Sequence, residues 1–228
     1  MENILNSESK EIIQAKKLID VSNYDEALQL IKDIEENEET NFHNKISCHL
    51  LKCNIFIQQG LYDKAFKLAE KTYENSLRLG INLFSVDALL LMAESSVIQS
   101  KLEGVLDIIE KGEGILDKLT KIKPRDYKQR KAKIFFLKGR YYGRSYKTEY
   151  FNMAVEYFEQ SLLMGRELGI KQDLIQSLIL NGIVIGMGKC EIDLGLKYAI
   201  EALKLAEESK NKYLIANSMK TLMMIYGL

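Results

Sequence analysis

The phrase NYDEALQLIKDIEE, Asn23 to Glu36, returns 38 residues later as LYDKAFKLAEKTYE, Leu61 to Glu74. Self-similarity at a period of roughly 20 to 50 residues is the mark of stacked supersecondary units, each unable to bury its apolar face alone. Twelve residues before Ala27 and Ala65 stand two more small side chains, Ala15 and Cys53. Ala93 precedes Val105 by 12, Gly139 precedes Ala154 by 15, and Gly182 precedes Gly195 by 13. The second members fall at 27, 65, 105, 154 and 195, so the spacings are 38, 40, 49 and 41. A small residue on each of two antiparallel helices lets the axes approach while larger neighbours fill the grooves. The pattern predicts five helix–turn–helix units, at about 7–39, 41–79, 81–119, 124–168 and 170–209, with a last helix over 211–226. All belong to one repeat domain over 1–228.

Apolar residues recur at three and four, as in Leu28, Ile31, Ile34 and again in Leu50, Cys53, Ile57. That is helix periodicity, and strand alternation is not found. One proline, Pro124, interrupts 228 residues that are 46% apolar, enough for a continuous core. Gly60 in QQGLYD and Ser22 in DVSNYD mark turns, and Asn23 with Glu26 three residues on reads as a capping box.

The small–turn–aromatic–small order of Ala15, Tyr24, Ala27 and of Cys53, Gly60, Tyr62, Ala65 resembles the tetratricopeptide repeat family. AVEYFEQSLLMGRELG (Ala154 to Gly169) and GLKYAIEALKLAEE (Gly195 to Glu208) look like second helices of such repeats, and LRLGIN and RELGIK like inter-repeat turns. A period near forty is similar to the longer-helix members, as in kinesin light chain, spindle-orientation adaptors and bacterial peptide-sensing regulators. The resemblance spans about residues 9 to 226. It departs from the family in lacking tryptophan, with His49 at that place in repeat two, in lacking repeat-closing prolines, and in Val105 replacing alanine. It implies an all-α, right-handed superhelical solenoid.

The resemblance also implies a concave groove lined by first helices, at three before, one after and four after each small residue. Those positions are Ile12, Lys16, Ile19; Leu50, Asn54, Ile57; Leu90, Glu94, Val97; Phe136, Arg140, Gly143; and Ile179, Ile183, Gly186. Each trio shares one helical face. The expected function is a noncatalytic scaffold that holds a peptide or protein segment, with Asn54, Glu94, Phe136, Arg140 and Arg144 as contacts and Leu50, Ile57, Leu90 and Val97 as apolar support. Core burial of some of these residues is the competing reading. A carboxylate clamp of the chaperone-tail kind is not expected: Ile12 stands where its first lysine would be, and only Asn54 matches. The second function expected is a peptide-sensing module of a larger regulator.

Net charge is zero, with 32 acids and 32 bases, but the charges are segregated. Lys118 to Lys147 holds twelve lysines and arginines, among them Lys128, Arg130, Lys131 and Lys133, against Asp126 alone. Residues 1–40 hold eleven acids and four bases. The basic stretch also carries Tyr127, Phe135, Phe136, Tyr141, Tyr142 and Tyr146. Three readings stay open: a solvated helix face over aromatic core, a site for an acidic protein segment, and, less expected, single-stranded nucleic acid bound by phosphate contact and stacking.

His43, Cys48, His49 and Cys53 cluster in HNKISCHLLKC, but without the turn spacing of a structural zinc site, so neither metal nor cofactor is expected. No phosphate loop, GxSxG or HExxH is present, and enzymatic activity is not expected. An N-terminus without a basic start and apolar run, three cysteines, and no apolar stretch of about 20 residues suggest a cytoplasmic protein. In the last helix, Ile215, Met219, Leu222 and Tyr226 read as the packing stripe, and the apolar residues around it leave open an imperfect cap with partly exposed methionines, a piece of a longer protein, or a homodimer through residues 213 to 226.

Overall fold

A computed structural model describes residues 9–145, 147–169 and 171–227. Among them lie eleven α-helices: α1 (Lys10–Asp20), α2 (Tyr24–Glu36), α3 (Phe42–Gln58), α4 (Tyr62–Arg78), α5 (Asn82–Ile98), α6 (Val105–Asp117), α7 (Pro124–Arg144), α8 (Thr148–Leu168), α9 (Lys171–Ile183), α10 (Ile192–Ser209) and α11 (Lys212–Tyr226). A π-helical turn, Val184–Gly188, extends α9. Each helix packs on its sequence neighbours, and the odd-numbered helices also pack on one another as an inner layer. The result is an all-α solenoid of helix pairs with α11 added at the end. Tyr146 and residues 1–8, which include the start of the first expected repeat, lie outside the described residues, as does Ile170.

The three-residue connections share one backbone solution. A middle residue turns left-handed: Ser22 (φ 61), Gly60 (φ 78) and Gly80 (φ 67). Two returning hydrogen bonds then close the helix end, as in Gly60 N–H to Ile57 O at 3.1 Å and Leu61 N–H to Phe56 O at 2.8 Å. Glycine takes this conformation without Cβ strain, so Gly60 and Gly80 were visible as turns, whereas Ser22 holds it at some cost. The helix starts differ from expectation at Asn23. Its side chain makes no capping bond, and its amide instead donates to the Glu26 carboxylate.

Small side chains set the helix approach. Ala15, Ala27, Cys53, Ala65 and Ala93 are fully buried, and Val105 nearly so. In the fourth pair the register differs. A Cβ on Gly139 would lie 2.8 Å from the Phe158 ring, so Gly139 makes room for that phenylalanine, and Ala154 instead packs opposite Gly143. In the fifth pair, a Cβ on Gly195 would lie 2.6 Å from the Gly186 Cα and 2.8 Å from the Gly182 oxygen. There α10 meets backbone directly across the π turn.

The last helix docks through Leu214, Ser218, Thr221 and Ile225. The stripe expected from sequence is therefore displaced: Met219 is 52% exposed and Tyr226 68% exposed. The physical reason is that Ile225 fills the space left by Gly186, which fixes the rotation of α11. The start of α11 also reaches the start of the array. The Asn211 amide donates to the Asp20 oxygen at 2.7 Å, and the Ser22 hydroxyl donates to Asn211 Oδ1 at 3.2 Å. The same oxygen accepts from Leu214 N–H at 3.0 Å, and Asn211 is buried. The first turn and the last are thus hydrogen-bonded across 190 residues or so, and the solenoid closes on itself.

Candidate functional site

With its two ends tied, the groove forms a concave channel, open to solvent, of about 2200 Å³ bordered by the inner helices. Leu50, Asn54 and Ile57 reach it from α3, Leu90 and Glu94 from α5, and Phe136, Arg140 and Arg144 from α7. Val97 does not. It is fully buried in the cluster containing Val105 and Leu102, because the connection after α5 folds over it, and Ile98 faces the channel in its place. Ile12 is likewise core, with Ile13 and Lys16 at the lining, and Gly186 is covered by Ile225. The exposed share of the apolar liners is small: Leu90 is 3% and Phe136 2% accessible.

The polar part of the channel is organised around Glu94. Its side chain is 6% exposed and takes Lys133 at 3.0 Å on one oxygen and Arg140 at 3.7 Å on the other. Both cations also lie against the Phe136 ring, at 4.8 and 5.6 Å from its centroid. Phe136 is therefore a platform for charge as well as core. Burial works against the Arg140 charge and lowers its pKa, with Glu94 the main group opposing the shift. Tyr213 of α11 and Tyr62 of α4 stand close enough to act on the same guanidinium. Arg130 pairs with Asp87 at 2.6 Å, and Arg144 donates to the Ser100 hydroxyl at 3.1 Å. Asp173 of α9 completes the lining. Burial raises its pKa, while Lys133 lowers it. The Nε atoms of Arg130 and Arg140 are buried with no hydrogen-bond partner. A buried donor left unpaired is costly.

These pairs change the meaning of the basic stretch. Lys131 contacts Glu113 at 2.7 Å and Asp117 at 3.2 Å, Lys138 contacts Glu113 at 2.5 Å, and Lys128 contacts Glu167 at 2.8 Å. With Arg130 on Asp87 and Lys133 on Glu94, all four residues expected as a patch are paired within the chain. Tyr142 stacks on Tyr157 at 5.6 Å, and Phe136 tilts against Phe158, so these aromatic rings are occupied with one another. Lys118, Lys121 and Lys123 remain exposed before α7. Elsewhere, His43 packs on the Phe84 ring, His49 lies 3.7 Å from Glu35, and Cys48 and Cys53 are buried separately in the core.

Sequence reasoning found Glu94 and Arg140 but not Asp87, Lys133 as a partner of Glu94, Asp173 or Asn211. Asp87 had a signal: it lies seven residues before Glu94, on the same face of α5. Asn211 had only the cap spacing to Leu214. Nothing local in the sequence announces a bond to Asp20.

The architecture defines a helical-repeat protein. No family model and no curated protein matches the sequence. Among solved structures, the crystal structure of the apo form of RapI matches with a TM-score of 0.54 at 14% identity, over 95% of this chain and 58% of that one. The chain thus spans little more than half the length of that structure. Identity at this level shows a shared fold. No helix among the described residues is long and apolar enough to cross a membrane.

Proposed function

We propose that the protein is a noncatalytic tetratricopeptide-type scaffold whose channel holds an extended peptide or protein segment. The observation that carries this reading is the groove itself, which runs along all the inner helices and mixes apolar side chains with charged and amide groups from each of them. Backbone carbonyls of an extended segment would meet Asn54, Arg140 and Arg144, and apolar side chains would meet Leu50, Ile57 and Leu90. Lys133, Arg140 and Arg144 set against Glu94 favour a segment with an acidic group. The runner-up is a peptide-sensing module of a larger regulator. Nucleic acid is the weaker reading, because Lys128, Arg130, Lys131 and Lys133 already have carboxylate partners. A cytoplasmic location fits a protein partner of this kind.

The test is capture of bound material on immobilised protein from host extract, with and without nuclease, beside Asn54→Arg, which would put a longer, charged side chain into the groove. Wild type is expected to retain a peptide or protein that survives nuclease and is lost on Asn54→Arg, with circular dichroism unchanged. Binding that vanishes with nuclease, or persists undiminished in Asn54→Arg, would overturn the channel reading.

A further inference from the structure

A second concavity lies on the outer side of the first two pairs, where α2 and α4 stand apart over α3. It encloses about 890 Å³. Ile46 and Leu68 form its floor with Phe56, and two apolar side chains stand open at its mouth, Phe42 at 70% and Leu79 at 45% exposure. Around this floor runs a cationic rim: Lys45 and Lys52 from α3, and Lys64, Lys67 and Arg78 from α4. The one carboxylate is Glu35, already in contact with Lys52. Glu35 Oε1 and His49 Nδ1, both at this site, are buried polar atoms without hydrogen-bond partners.

The rim is a product of helix phase. Lys64, Lys67, Leu68, Asn75 and Arg78 recur at three, four and seven, so they share one face of α4. The acids of that helix, Asp63, Glu70 and Glu74, follow their own stripe roughly a quarter turn away, and Asp63 is bound to Lys101 beside the next pair. A helix with four cations and three acids therefore presents a basic edge to the cleft.

We infer that this cleft is a second docking site, for an acidic amphipathic segment of a partner protein lying along α4. Apolar side chains of the segment enter over Phe56 and Leu68, and its carboxylates meet Lys64, Lys67 and Arg78. Length separates a segment from a single anionic group. Lys64 to Arg78 covers about 21 Å at 1.5 Å per residue, the reach of several helical turns. Depth separates it from a membrane surface, since Ile46 is recessed at 3% exposure below the charges. Charge complementarity at a rim of this kind chiefly governs which partner is accepted and how fast it arrives.

The test is selection of random peptides of about 16 residues, enough to run the length of the α4 rim. Display is on phage against the wild type, with Lys64→Glu/Lys67→Glu and Asn54→Arg as companions. Both lysines are exposed helix positions, and circular dichroism of the double variant is expected to match wild type. Enriched peptides should combine aspartate or glutamate with apolar residues at helical spacing. Their affinity by fluorescence anisotropy should fall about tenfold or more in the double variant and hold in Asn54→Arg. That last arm keeps this site apart from the channel. Selection that yields no clone dependent on the two lysines, or only neutral and basic clones, would overturn the inference. So would charge-dependent sedimentation with phosphatidylserine vesicles, or self-association, that is lost in the double variant while peptide binding is absent.

Discussion

α7 and α4 each carry a row of lysine and arginine, and they use it in opposite ways. The cations of α7 turn inward or sideways onto carboxylates of three other helices: Asp87 and Glu94 on α5, Glu113 and Asp117 on α6, and Glu167 on α8. The cations of α4 that border the outer cleft stand exposed, with the helix's own acids turned elsewhere. By count in the sequence α7 is the basic element. By what a partner would meet, α4 is the stronger candidate. Local charge density predicts a surface only when the third dimension brings no counter-charge, and distant carboxylates can be recruited to any cation row.

The comparison breaks first at Glu94. Glu94→Ala takes from the buried Arg140 its carboxylate partner, and removing one partner of such a pair costs about 3 to 5 kcal/mol. Urea denaturation should show that loss; a change below about 1 kcal/mol would mean that solvent reaches the guanidinium and the cluster is not interior. Lys64→Glu/Lys67→Glu, by contrast, should stay within about 0.5 kcal/mol of wild type.

Asp173 sharpens the same contrast by pH. Burial raises its carboxyl above the ordinary 3.8. The folded protein then holds that proton more tightly than the unfolded chain, so this group's contribution to stability declines as pH rises from 3.8 through the native value. Asp173→Asn should raise the melting temperature at neutral pH, and the gain should shrink toward zero below 3.8. A constant gain at every pH would assign the effect to packing.

Cysteine labelling supplies an interior reference. Burial pushes the Cys48 and Cys53 thiols to about 12, while Cys190 is exposed. One thiol should react promptly with an alkylating reagent in the native protein and all three in denaturant. Lys128→Ala should also have a small effect. Lys128 and Glu167 are each 48% exposed, and solvent-screened pairs contribute about 0 to 1 kcal/mol.

Most of the fold was legible because it is local. Small residues spaced by twelve, glycines at turns and a three–four apolar period each act within one helix pair, and the pairs follow. The lining of the groove was legible in part for the same reason: Leu50, Asn54, Ile57 and Glu94 lie on faces set by helix phase. What failed depended on contacts between pairs. Val97 was lost to the connection that covers it, and the register of Gly139 to the bulk of Phe158. The stripe of α11 was set by the gap over Gly186, and the pairing of the α7 cations by acids about 15 to 45 residues distant in sequence.

Asn211 alters what kind of repeat protein this is. In an open array the outermost units have one neighbour each, so they loosen first and stability tapers toward both termini. Here the first turn and the last helix each gain a second neighbour through two hydrogen bonds. Parting the first turn from the start of α11 must break that seam. Whatever occupies the bore and spreads its walls pulls on the same two bonds. The seam is thus a tie between the first turn and the start of the last helix, and cutting it would free the two from each other.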